Sequence, residues 1–144
     1  MTKTALLVED NDLNHLLFQE VLTHLGFKVV SDRTGRTSKA LCQADGRPGS
    51  ASRASGKTQD KIPDLAVVDL ALPDISGLEV IRSLRAAPRT RDMPIIAVSA
   101  FARTQDGLAA LNAGADLFFC KPVDVSRLCA ALDKLTDELQ VGAA

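Results

Sequence analysis

The stretch Leu65-Ala66-Val67-Val68-Asp69-Leu70-Ala71-Leu72-Pro73-Asp74-Ile75-Ser76-Gly77 decides the fold. Its first four residues form an unbroken apolar run, which reads as a strand buried on both faces. The run stops at a carboxylate, Asp69. Pro73 and Gly77 then break the chain and reset it into a helix from about Leu78. An acid at the end of a buried strand lies on the rim of a sheet, where open α/β folds place their sites. What Asp69 can do there depends on how the other strands end.

Reading outward, the same pattern recurs. Ala5-Leu6-Leu7-Val8 is a short apolar strand ending in Glu9-Asp10. Asp12 is the expected cap of a first helix, along which Leu13, Leu16, Leu17, Val21 and Leu25 recur at helical spacing, with Gly26 as its stop. Val29-Val30 form a second strand ending at Ser31-Asp32, and a modest helix spans about Arg36 to Ala44. From Asp45 to Lys61 the chain turns to Gly, Ser, Arg, Lys and Thr without apolar periodicity, the pattern of a long, flexible, locally basic insertion at about 45–61. Beyond Asp69 come a helix at about Leu78–Ala87, a strand Ile95–Val98 ending in Ser99, and an Ala-rich helix Thr104–Ala113 closed by Gly114. A strand Leu117–Cys120 ending in Lys121-Pro122 and a helix at about Val125–Gln140 complete the chain. Five strands alternating with five helices imply an α/β domain, a doubly wound parallel sheet with helices on both faces.

Composition narrows the function. A chain of 144 residues is expected to be one domain, 1–144, and 46% hydrophobic residues suffice for a core. Aromatics are only 3%, with no Trp or Tyr, so nucleic-acid binding by stacking is disfavoured. A net charge of −1 gives no broad basic field for nucleic acid or membrane. No apolar run is long enough to insert in a membrane, and no signal-peptide plan is visible, so a cytoplasmic protein is expected. Cys42, Cys120 and Cys129 are odd in number, widely spaced and set in apolar stretches, so they are expected to be small buried residues.

In a parallel sheet all C-terminal strand ends share one edge. Glu9, Asp10, Asp69, Ser99 and Lys121 therefore gather there. Neighbouring carboxylates repel, so a cation is expected between them, and hard oxygen ligands in an open site suit Mg²⁺. One carboxylate can then act as a nucleophile and become an acyl phosphate. Lys121 can pair with a phosphoryl group, and Ser99 can hydrogen-bond it. Positioning and charge neutralisation are most of what phosphoryl transfer requires.

Glu9-Asp10-Asn11, Asp69-x-x-Leu72-Pro73-x-x-x-Gly77, Ser99-Ala100 and Lys121-Pro122 together resemble the signature of response-regulator receiver domains, in order and approximate spacing. The texture around Val8–Asn14, Ile75–Val80 and Ala97–Ala102 is similar to single-domain regulators of the DivK type. The resemblance implies a flavodoxin-like (βα)5 fold, a five-stranded sheet in the order 2-1-3-4-5. It implies that Asp69 accepts phosphate from a histidine kinase or a histidine phosphotransferase, making the chain a phosphoacceptor rather than an enzyme. Mg²⁺, with Mn²⁺ as the alternative ion, would be held by Asp10, Asp69 and the Ala71 backbone carbonyl, with Glu9 acting through water. Ser99 and Lys121 would read the phosphoryl group, Ser99 and Phe118 would form the switch, and the Lys121-Pro122 bond would be cis. Leu13, Asn14 and Leu17 of the first helix would meet the kinase.

Three features depart from that family pattern. The 45–61 insertion is long, Phe118 lacks a hydroxyl to bond the Ser99 loop, and no output domain is expected after the last helix. Output would then pass through a downstream protein or a phosphate relay.

Other readings are weaker. An EF-hand starting at Asp10 would need Gly where His15 stands and Glu where Val21 stands. The run Ala51–Thr58 approximates a P-loop but lacks its first Gly and a preceding strand. His15 and His24 lack the spacing of paired ligands and read as surface residues. A phosphatase of the haloacid-dehalogenase type would carry a second acid where Ala71 stands. A flavodoxin-type phosphate loop would be repelled by Glu9-Asp10. A receiver-like module that takes no phosphate would have lost an acid, the Ser or the Lys, and none is lost here.

Overall fold

The structure, a computed structural model, describes residues 3–35, 62–72, 75–100, 104–121 and 123–143. The expected helix at about 36–44, the 45–61 insertion with its P-loop-like run, Cys42, and the Lys121-Pro122 bond fall outside the described residues. The elements are β1 (Lys3–Val8), α1 (Asp12–His24), β2 (Phe27–Asp32), β3 (Leu65–Asp69), α2 (Gly77–Ala86), β4 (Ile95–Ser99), α3 (Thr104–Ala113), β5 (Leu117–Cys120) and α4 (Val125–Ala143). The sheet is parallel throughout, in the order β2-β1-β3-β4-β5, as the sequence resemblance implied.

Strand alternation builds two cores. Leu6, Val8, Ala66, Val68, Ile95 and Ala97 point to one face, where Val80, Ile81 and Leu84 of α2 and Ala110 and Ala113 of α3 cover them. Ala5, Leu7, Leu65, Val67, Ile96 and Val98 point to the other, beneath Phe18, Val21 and Leu22 of α1 and Leu128 and Leu132 of α4. The three central strands carry apolar residues at successive positions because both faces are covered. The edge strands depart from that expectation: Leu117, Phe118 and Phe119 of β5 and Val29 and Val30 of β2 are only half-buried.

Two local expectations are corrected. Asn11, not Asp12, caps α1: its backbone is extended and its side chain accepts from Asn14 N–H at 3.0 Å. Asp12 instead occupies the first turn, where a carboxylate complements the helix dipole. The cysteines are not uniformly buried. Cys120 is exposed and Cys129 intermediate, because Cys120 is the terminal residue of an edge strand with a neighbour on one side only.

The register brings the strand ends level. Val8 pairs with both Asp32 and Val68, Asp69 with Val98, and Ser99 with Cys120. Backbone bonds carry that alignment past the strands, from Leu70 N–H to Val98 O at 2.9 Å and from Lys121 N–H to Ser99 O at 2.8 Å. At the opposite end Arg85, in the last turn of α2, ties the starts of β4 and β5. It donates to the carbonyls of Gly114 and Arg91 at 2.8 Å each, to the Met93 carbonyl, and to Asp116 Oδ2 at 2.8 Å. Asp116 Oδ2 also accepts from Ile95 N–H at 2.8 Å.

Gly77 does more than break the chain. Its N–H donates to Leu70 O at 3.0 Å, and a Cβ there would fall 2.6 Å from Leu70 Cα. Only glycine lets α2 start this close to the end of β3. Gly77→Ala should therefore lower stability by at least about 2 kcal/mol, since a backbone collision cannot be relieved by a rotamer change. Urea unfolding checks this; a loss below about 0.5 kcal/mol would show that the start of α2 yields freely.

Candidate functional site: an acidic pocket on the sheet rim

Glu9 and Asp10 follow β1, Asp69 ends β3, Ser99 ends β4 and Lys121 follows β5. Ligand atoms of Glu9, Asp10 and Asp69 all lie within 4.8 Å of one another. Lys121 Nζ donates to Asp69 Oδ2 at 2.8 Å and forms an ion pair with Glu9 Oε1 at 3.0 Å. The other Asp69 oxygen, Oδ1, accepts from Ala71 N–H at 3.0 Å. Ser99 is buried on the same rim, its carbonyl holding the Lys121 backbone. The structure thus brings together Glu9, Asp10, Asp69, Ser99 and Lys121, with Ala71 exposed directly beside them.

Phe118, half-buried on β5, packs against the core that α2 and α3 cover. Its ring faces Gly107, where a Cβ would stand 3.3 Å from Cδ2. Neither histidine joins the acid cluster; His15 Nε2 instead contacts Ser31 Oγ at 2.7 Å. Leu17 is half-buried against the core beneath α1 and, with Leu16, lines a groove beside that helix, whereas Leu13 and Leu16 are 78% and 56% exposed.

Glu9 is the most perturbed group. It is fully buried, and beyond the Lys121 ion pair at 3.0 Å its Oε1 has no hydrogen-bond partner among the described residues. Oε2 accepts from Asn11 N–H at 3.1 Å. Burial, reinforced by the neighbouring Asp69 carboxyl, raises its pKa from 4.5 to about 7 against the opposing pull of Lys121 and the Asn11 amide. For Lys121, burial disfavours the ammonium, but the Asp69 and Glu9 contacts outweigh it and the pKa is raised. A buried oxygen with no hydrogen bond beside two further carboxylates is a donor set suited to a divalent cation.

The comparisons with known proteins agree with this arrangement. The model of the response regulator receiver domain matches residues 5–133. The polar-differentiation response regulator DivK of Brucella ovis is 32% identical over 127 residues, 88% of this chain and 90% of its own length. Among solved structures, the receiver domain of the sensor histidine kinase PA1611 from Pseudomonas aeruginosa PAO1, with a magnesium ion in its active-site cleft, is 28% identical with a TM-score of 0.73. That likeness covers 94% of this chain and 98% of the other. A response regulator from Chloroflexus aurantiacus, at 24% identity and a TM-score of 0.76 over 94% of this chain and 98% of its own, shares the fold. The chain belongs to the response regulator receiver domain family, and it is a response regulator of two-component signalling.

The Glu9 shift has a stability consequence in metal-free protein. A carboxyl whose folded pKa is raised binds its proton more tightly folded than unfolded, so its contribution is full at low pH and is lost as pH rises from about 4.5 to about 7. Above that window the ionised Glu9 opposes folding. In chelator, Glu9→Gln should therefore gain stability relative to wild type at pH 8 more than at pH 5, in paired urea titrations. An equal effect at both pH values would show that Glu9 is ionised throughout.

Proposed function

We propose that this receiver accepts a phosphoryl group on Asp69 and that 1–144 acts as one receiver domain. The observation that carries the proposal is the Asp69 carboxylate held between the Lys121 ammonium and the Ala71 amide, with Glu9 and Asp10 alongside. Asp10, Asp69 and the Ala71 carbonyl would hold Mg²⁺, or Mn²⁺ in its place, and Glu9 would act through water. The un-hydrogen-bonded Glu9 Oε1 and the three clustered carboxylates fit such an ion. The ion supplies neutralisation of charge on the phosphoryl oxygens.

The donor would be a phosphohistidine of a histidine kinase or a histidine phosphotransferase. An Asp69 oxygen attacks phosphorus, the P–N bond breaks, the histidine nitrogen keeps the electron pair, and an acyl phosphate remains. Lys121 already reaches the attacking carboxylate, so a small shift of its ammonium lets it pair with the transferred group. Ser99, buried on the same rim, is placed to hydrogen-bond a phosphoryl oxygen. The chain is consumed stoichiometrically, an acceptor rather than a turnover enzyme. Phe118 responds through packing against α3, since it has no hydroxyl.

The partner would dock on α1, whose exposed Leu16 borders a groove lined by Leu17, Val21, Val125 and Cys129, with exposed Leu13 one turn earlier on the same helix. Among the described residues no helix is long and apolar enough to cross a membrane, and a cytoplasmic setting suits a histidine-kinase partner.

Incubation with acetyl phosphate and Mg²⁺ should add one phosphoryl group to wild type, read by intact mass, and none to Asp69→Asn or to wild type in chelator. Absence of both a mass adduct and beryllofluoride binding would reduce the protein to an interaction module. Charged residues at both Leu13 and Leu16 should slow transfer from a phosphorylated histidine phosphotransferase by about tenfold or more while leaving acetyl phosphate labelling intact. Equal slowing of both reactions would place the defect in the pocket rather than at docking.

A further inference from the structure

The turn after β2 grips both loops that carry the acids. Asp32 ends β2 and is buried, and its Oδ1 accepts from Thr34 N–H at 3.1 Å and from Gly35 N–H at 2.9 Å. Its carbonyl accepts from Glu9 N–H at 3.2 Å. These bonds fix the turn from which Arg33 reaches back to the β1–α1 loop. Arg33 Nη2 donates to the Asp10 carbonyl at 3.0 Å and pairs with Asp12 Oδ1. On its other side the turn lies tightly on the loop after Asp69. Gly35 has a φ of +84°, and a Cβ there would stand 2.9 Å from Leu72 Cδ1 and from Val80 Cγ2 and 3.1 Å from Ile75 Cδ1.

We infer that Arg33 is a positioning residue for the cation site, holding Asp10 at the distance from Asp69 that a divalent ion requires. The inference rests on the function proposed above. Asp10 is half-buried, and its loop is bounded by β1 on one side and the Asn11 cap on the other. The bond to its carbonyl comes from a long side chain anchored at the far end by Asp12. Both contacts come from the same nitrogen, Nη2, so one end of the guanidinium joins the Asp10 carbonyl to the Asp12 carboxylate. Its positive charge works against a cation nearby, and Asp12 offsets that charge. The contribution to metal binding is therefore geometric, and it opposes the electrostatic effect of the same side chain. Removing Arg33 separates the two: lost positioning weakens Mg²⁺ binding, lost charge alone strengthens it.

The experiment is a calorimetric Mg²⁺ titration of the full chain as wild type, Arg33→Lys and Arg33→Ala, with thermal midpoints alongside. Amide exchange of Glu9 and Asn11 is followed in metal-free protein. Arg33→Ala should raise the Kd for Mg²⁺ about tenfold, the size of effect seen when a residue orienting a ligand is lost. Arg33→Lys keeps the charge on a shorter side chain that lacks Nη2, so it should raise the Kd by a smaller factor and carries the test if the alanine variant does not fold. Exchange at Asn11 should quicken in both. A Kd unchanged or lowered in both variants overturns the inference, as does a fall in thermal midpoint with unchanged Kd. If wild type binds Mg²⁺ and the variants match it, only the role of Arg33 fails. If wild type binds no Mg²⁺, the functional reading fails with it.

Discussion

Three carboxylates that repel one another share the rim of this sheet, and the ammonium of Lys121 holds two of them in place. It touches Asp69 at 2.8 Å and Glu9 at 3.0 Å. Without a cation of some kind there, burying Glu9 and Asp69 together would cost several kcal/mol. Lys121 offsets part of that cost, and the rise in the Glu9 pKa is the part left over. The pocket is an arrangement short of positive charge, with a donor set suited to a divalent cation.

The rest of the molecule keeps that arrangement in register. Parallel pairing makes the ends of β1, β3 and β4 level, so one or two residues beyond each strand suffice to deliver a side chain to the same place. Gly77 draws α2 against the end of β3, and Arg85 ties the starts of β4 and β5 on the opposite edge. Gly77 acts at Asp69 itself, where a Cβ would fall 2.2 Å from the Asp69 carbonyl oxygen, and Arg85 acts at the far end of the neighbouring strands. A sheet packed on both faces transmits such constraints because its core is close-packed.

Beside the pocket, β5 meets α3 through the ring of Phe118. Phe118 packs against the core that α2 and α3 cover, and Gly107 is the helix position that makes room for its ring. Movement of Phe118 would be felt directly along α3, where Leu108 and Leu111 are exposed.

The sequence by itself determined the sheet, its strand ends and the acids, hydroxyl and lysine on its rim. Each of those is encoded locally, as an apolar run closed by a polar residue, and parallel topology does the gathering. Cap choice at Asn11 was not legible because Asn11 and Asp12 are adjacent and both are residue types that cap well, and the exposure of Cys120 was not because it depends on β5 lying at the sheet edge. Only the tertiary structure decided the role of Arg33 and Asp32. They stand at the end of an edge strand with no motif around them, and their partners Asp10, Asp12, Glu9 and Gly35 are assembled by folding. The same holds for Arg85 and for the backbone approach at Gly77. Spacing along a chain records periodicity, whereas contacts between loops are fixed by the register of strands that the chain places far apart.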